Sequence, residues 1–166
     1  MIKTVLGLGA AALVAGYVYQ TGSVITEAHV REFYGDQLKA YEQQDADQLC
    51  ETMADDFSMS LTEHGEGPAR TSTQDRHQAC ADVKDAMALT QLLSERSRGL
   101  LSLDVDYDVK GVEVSPGGRD AIVRVTSRVS LGDSVIALSR AEEKLSRSFW
   151  KVKTHGGEAK VWTSDG

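Results

Sequence analysis

At 166 residues, 41% of them hydrophobic and only two of them proline, the chain has room for one ordinary domain with a sizeable core and is not a disordered or low-complexity sequence. Eighteen basic side chains stand against 25 acidic ones, a formal charge of -7. With no lysine or arginine run, nucleic acid and an anionic membrane surface, both of which need a basic patch, are poor partners.

The chain opens on "MIK" and then "TVLGLGAAALVAGYVY", Thr4 to Tyr19, sixteen residues without a charge. This is an export signal, and two forms of it stand. A cleaved signal peptide would place Val14 and Gly16 at the -3 and -1 positions before Tyr17. An uncleaved anchor would keep Lys3 inside and Tyr17 and Tyr19 in the far interface, although sixteen residues fall just under the ~17 to 25 of a span. A buried core helix is the third and plainest reading. Either export reading divides the chain into a signal or anchor over residues 1–22 and a domain over 23–166, placed outside the cytoplasm in the periplasm or beyond. There Cys50 and Cys80 are expected to form a disulfide. It would close a loop of about 30 residues and stabilise the fold by roughly 3 to 4 kcal/mol in the chain-entropy model. Two free buried thiols are the alternative.

From Thr26, a suitable N-cap, Val30, Phe33, Tyr34, Leu38 and Tyr41 recur at helical spacing and predict a helix over about 26–44. Asp45 and Gln48 make a capping-box pattern before a short helix with Leu49, Cys50, Met53 and Phe57 on its apolar stripe, ending near Asp56. "FSMSL" then alternates as a strand, and "TEHGEGPART" reads as a loop. Thr71 and Gln74 suggest a second capping box, opening a long helix with Ala79, Val83, Ala86, Thr90 and Leu93 on one stripe and a stop at Gly99. Thereafter the period is two. "LSLDVDYDVKGVEV" and "RDAIVRVTSRVSL" are half-buried strands, a third stretch runs from Val135 to about Thr154, and "HGG" leads into a short strand "AKVWT". The order is helix, helix, strand, helix and four antiparallel strands, which is α+β.

"KAYEQQDADQLCETMADDFSMSL" and the closing "FWKVKTHGGEAKVW" resemble the NTF2-like superfamily, which includes the SnoaL-like cyclases and ketosteroid isomerase, over roughly residues 26–163. The resemblance implies a cone: three N-terminal helices packed on a curved, mostly antiparallel sheet, the closing stretch forming a last hairpin that turns at glycine. It also makes a homodimer plausible. Isomerase-type members place a base near the start of the first strand and a phenol on helix one. A gapless match on "ADDF" puts Leu61 and Gln37 at those positions, so both roles are vacant. The superfamily hosts enzymes, binding modules and assembly parts alike.

Other patterns carry little chemistry. Asp104, Asp106 and Asp108 share a strand face but lack the glycine and the bidentate acid of a calcium loop, and read as a solvated face. "EHGE" and "HQAC" lack a second zinc motif, and His29 and His155 stand alone, so no metal is expected. No nucleophile elbow, phosphate loop or dinucleotide fingerprint occurs, so no cofactor is expected either. Tyr34, Tyr41, Phe57 and Trp150 are the aromatic residues that would line a ligand site in the cone, or else serve as core. Two functions are therefore carried forward. The first is a non-enzymatic extracytoplasmic domain, anchored at the inner membrane or free, that binds a partner protein or an apolar small molecule. The second is an isomerase, dehydratase or cyclase using another acid in the cone, with Glu63 or His77 as candidates. An inward carboxylate or imidazole with a perturbed pKa would separate them.

Overall fold

The computed structural model describes residues 21–65, 67–98 and 103–163. The N-terminal segment over residues 1–20 therefore lies outside the described residues, as does the stop at Gly99. Helix α1 spans Glu27–Glu42, opened by Thr26, whose side chain accepts from the His29 amide. It turns Val30, Phe33, Tyr34 and Ala40 inward. Gln44, in the left-handed region at φ 55°, breaks the chain before Asp45 caps α2, Ala46–Glu51, by accepting from the Gln48 amide at 2.9 Å. Strands β1 (Met53–His64) and β2 (Arg70–Asp75) follow, then helix α3 (Arg76–Arg96), then β3 (Leu103–Val114), β4 (Asp120–Leu131), β5 (Ser134–Ser148) and β6 (Lys151–Thr163).

The six strands form one sheet in the order β2-β1-β6-β5-β4-β3. Every pairing is antiparallel except β1 with β6, which is parallel. Alternation sends Ala121, Val123, Val125 and Leu145 inward, where they meet Val30 and Phe33 of α1. A smaller cluster of Ala40, Leu49 and Met87 joins the three helices. Burying a side chain of this kind is worth about 1.5 to 3 kcal/mol, so the α1–sheet contact carries much of the stability. Cys50 and Cys80 form a disulfide between α2 and α3, with a Cα–Cα distance of 5.4 Å that suits the bond without backbone movement. The expected architecture, α+β with three helices on a curved and mostly antiparallel sheet, is the one observed.

The second helix ends sooner than expected, at Glu51 and not near Asp56, because Met53 already opens β1. Two further local expectations fail. Residues 70–75 are a strand, not the end of a loop and the cap of a helix; the capping box is Asp75 with Gln78, four residues beyond Thr71 and Gln74. The pattern recurs at that offset, and an edge strand written "RTSTQD" has no apolar phase to announce it. Its pairing is visible only across the sheet, where the Thr62 and Thr71 hydroxyls lie 3.2 Å apart. The second failure concerns "THGGEA", which does not turn the chain. The β5–β6 turn is at Phe149 and Trp150, and β6 runs straight through Gly156 and Gly157. A Cβ on Gly156 would lie 2.1 Å from the Ser58 carbonyl oxygen, and one on Gly157 would lie 2.0 Å from that of Glu142. These glycines serve a close approach of β1, β6 and β5 at a bulge.

Candidate functional site

The irregularity between β5 and β6 puts its extra residue on β6, while β5 keeps an unbroken register with β4 through Val123↔Glu143 and Ala121↔Leu145, so Glu143 and Leu145 share the inner face of the sheet. Glu143 thereby enters the interior with Ala141 and Leu145, the single acid in an otherwise small or apolar phase. Its Oε2 accepts from Thr154 Oγ1 at 3.1 Å, and Thr154 Oγ1 in turn accepts from the Gly156 amide at 3.1 Å. The opposite wall is aromatic: Tyr34 of α1 meets Tyr107 of β3 at a centroid distance of 5.3 Å and Phe33 edge-on at the same distance. Tyr41, two turns along α1, has its hydroxyl near that of Tyr107.

Low polarity governs the electrostatics. Burial pushes the Glu143 carboxyl above the usual carboxylate range, only partly offset by the hydrogen bond from Thr154 and by the Tyr34 hydroxyl nearby. Burial, with the neighbouring Glu143 charge, drives the Tyr34 hydroxyl far above the ordinary phenol value. Tyr107 is raised chiefly by burial and by Tyr41 and Glu143, and Tyr41 is raised by burial against the opposing effect of Tyr107. The Tyr34 oxygen is wholly buried, and no hydrogen bond of good geometry closes onto it among the described residues. A carboxyl and three phenols that resist ionisation are thus gathered in the cone, a set suited to donating hydrogen bonds to an oxygen on a ligand.

Helix α3 rests chiefly on α2, β1 and β2. The inward residues of β3 to β5 beyond Tyr107, among them Val105, Ser127, Val129 and Ser139, remain half-buried. Glu143, Tyr41 and Tyr107 also keep some accessible surface, whereas Tyr34 and Thr154 are buried.

Of the aromatic residues singled out from the sequence, Tyr34 and Tyr41 stand at this site, and Phe57 is buried on β1 near Cys80 and His77. Trp150 does not line the cone: it stands on the exposed β5–β6 turn because the strand boundary lies at residue 149 rather than at the glycines. Leu61 is half-buried, and Gln37 donates to Thr52 Oγ1 at 3.5 Å, so the two isomerase-type positions hold no acid and no phenol. Glu63 and His77 are exposed, at the outer end of β1 and on the first turn of α3, and neither reaches the interior. Glu143 was missed because it follows Glu142 in a charged run. The period-two phase Ala137, Ser139, Ala141, Glu143, Leu145 was the signal that could have found it.

Asp104, Asp106 and Asp108 are exposed as expected, and no group of three metal-ligating side chains forms among the described residues. His155 is not isolated. On the sheet's outer face its Nε2 lies 2.8 Å from Ser146 Oγ and its Nδ1 2.6 Å from Asp56 Oδ1. The bond from His155 holds the Asp56 carboxyl below its ordinary value. Asp56 is 74% exposed and His155 23%, and the three residues tie β5, β6 and the irregular start of β1 together as a surface clamp. A shallow groove of about 920 Å³ lies further along that outer face, lined by charges such as Asp106, Arg128, Arg140 and Lys160. Its charged lining is unlike that of a small-molecule site.

No family model and no curated protein matches the sequence. Solved structures do match. The cone aligns with a protein provisionally described as a dehydratase of the NTF2-like family from Streptomyces avermitilis, at 17% identity and TM-score 0.51, covering 84% of this chain and 96% of that one. An NTF2-like protein of unknown function from Silicibacter pomeroyi aligns at 14% identity and TM-score 0.52, covering 81% and 93%. The fold is NTF2-like. A third structure, provisionally described as a scytalone dehydratase from Novosphingobium aromaticivorans, aligns at 8% identity and TM-score 0.53, covering 83% of each chain. At these identities the likeness concerns the NTF2-like cone alone.

Proposed function

We propose that this protein is an extracytoplasmic NTF2-like domain whose cone takes up a small, largely apolar molecule bearing a carbonyl or hydroxyl oxygen, and that Glu143 with Tyr34 and Tyr107 is the polar pole that meets that oxygen. The observation that carries this reading is Glu143 itself: an acid inside the cone, its carboxyl raised by burial, beside a phenol with no hydrogen bond of good geometry. A ligand oxygen would give that hydroxyl a well-aligned partner on binding. Protonated, Glu143 can donate to a developing enolate or leaving hydroxyl; ionised, it can take a proton alpha to a carbonyl. The site therefore favours acid–base chemistry of the isomerase or dehydratase type over a purely apolar binding role. Two solved structures of the same shape are provisionally described as dehydratases, which agrees with this reading. The Cys50–Cys80 disulfide supports the placement outside the cytoplasm.

The test is a calorimetric titration of phenols and cyclic enones into the protein and into its Glu143→Gln and Tyr34→Phe variants. The reading expects binding that weakens about tenfold or more on loss of either polar group, which corresponds to the ~1.4 kcal/mol of one hydrogen bond. Equal affinity in all three proteins, or no binding of any compound, would sink it.

A further inference from the structure

The β5–β6 turn is built from residues that a two-residue hairpin ordinarily avoids. Both central positions have positive φ, 48° at Phe149 and 64° at Trp150. Such turns favour Asn-Gly, and a bulky aromatic residue there is strained. The strained side chains do not enter the core: Phe149 is 66% and Trp150 55% exposed. Packing in the core therefore does not account for the aromatic residues of this turn.

The surroundings of the turn indicate its role. The Trp150 amide donates to the Gly22 carbonyl at 2.9 Å, and the indole covers Gly22, where a Cβ would stand 3.3 Å from the ring. Buried Arg147 donates through Nη1 to the carbonyls of Thr21 at 2.9 Å and Val24 at 2.8 Å, and the Ile25 amide donates to Gly118 at 2.7 Å on the β3–β4 turn. Both turns are thereby pinned to residues 21–25. Exposed Val24 and Val114 complete an apolar rim at this end of the domain. The uncharged stretch Thr4–Tyr19 ends two residues before Thr21. The aromatic turn therefore marks the place where a membrane-embedded segment would enter the domain.

We propose that Phe149 and Trp150 are a second membrane contact, seated in the headgroup region of the bilayer beside the N-terminal anchor, so that the cone is held against the membrane in one orientation. This rests on the anchor form of the N-terminal segment and not on the ligand chemistry of Glu143. Aromatic residues partition to that interface without needing a basic patch, which suits a chain of charge -7. A neutral phosphatidylcholine surface is the partner of matching chemistry, with Lys151 flanking the turn.

The experiment uses the full chain in phosphatidylcholine nanodiscs with brominated acyl chains. The protein has two tryptophans, so Trp162→Phe isolates the Trp150 emission and Trp150→Phe isolates that of Trp162. The proposal expects Trp150 to lose most of its emission to the bromine while Trp162, on the sheet, keeps its own. Nanodisc-bound protein with unquenched Trp150 overturns the second contact and leaves the anchor standing, the turn then being covered by the chain itself or by water. Protein that does not enter the nanodisc overturns both. Neither result bears on the cone, whose titrations fail or succeed separately.

Discussion

Reducing the Cys50–Cys80 bridge is the perturbation whose size follows most directly from the structure. The bridge spans 30 residues and joins α2 to α3. Helix α3 buries only Ala79 and Met87, so few apolar contacts hold it to the rest of the cone. Opening a loop of this length returns about 3 to 4 kcal/mol of chain entropy to the unfolded state. For a domain of this size each kilocalorie moves the melting temperature by roughly 2 to 4 °C, so reduction is expected to lower it by roughly 7 to 15 °C. The assay is thermal unfolding by circular dichroism with and without reductant, with Cys50→Ala/Cys80→Ala as the permanently open form. Hydrogen exchange would locate the loss. Amides of α3 should lose protection first, while β4 and β5, paired on both sides, keep theirs. The reasoning is refuted if the oxidised protein reacts with a thiol reagent in its folded state. It is equally refuted if reduction shifts the melt by less than about 2 °C, since loop closure would then contribute almost nothing.

Three further outcomes are expected. Because the folded Glu143 pKa lies above its unfolded value, the native state holds the extra proton between the two values. Its stability contribution is therefore full below the ordinary carboxylate pKa and declines as pH rises through the raised one. Urea unfolding from pH 4 to 8 should show the wild type losing stability relative to Glu143→Gln along that interval; a constant difference would contradict a buried acid. Gly156→Ala forces a Cβ into the Ser58 carbonyl and is expected to cost at least about 3 kcal/mol, read as loss of soluble folded protein or a collapsed melting temperature. Asp75→Ala removes the capping box of α3 and should cost about 1 kcal/mol, whereas Thr71→Ala, at the position the sequence pattern favoured, should cost markedly less.

The outer-face clamp of Ser146, His155 and Asp56 shows how geometry alone can mislead. The three side chains follow the order of a hydrolase triad at 2.8 and 2.6 Å. In that mechanism the carboxylate is buried, so that it orients the imidazole and stabilises its charge. Here it is 74% exposed, and solvent competes for that task. The inner acid differs because its environment, and not its hydrogen-bond order, sets its chemistry.

The three helices as elements, the strands with an apolar phase, the α+β class and the pairing of the only two cysteines are legible in the amino-acid order alone. Local periodicity and capping act over a few residues and need no partner to be read: the exposed phase Asp104, Asp106, Asp108 and the Asp45 cap are as expected. The rest depends on contacts between segments distant in the chain. Strand β2 has no apolar phase and exists because β1 supplies its hydrogen bonds. The glycines of β6 are required by backbones that approach from two other strands, and a turn glycine and a close-approach glycine look alike in one dimension. Glu143 meets Tyr34 across more than a hundred residues, and its neutral form is favoured by the collective burial of β5 and α1, a property no single segment carries. Phase says which face a side chain joins; the protonation state of that side chain belongs to what the folded chain packs around it.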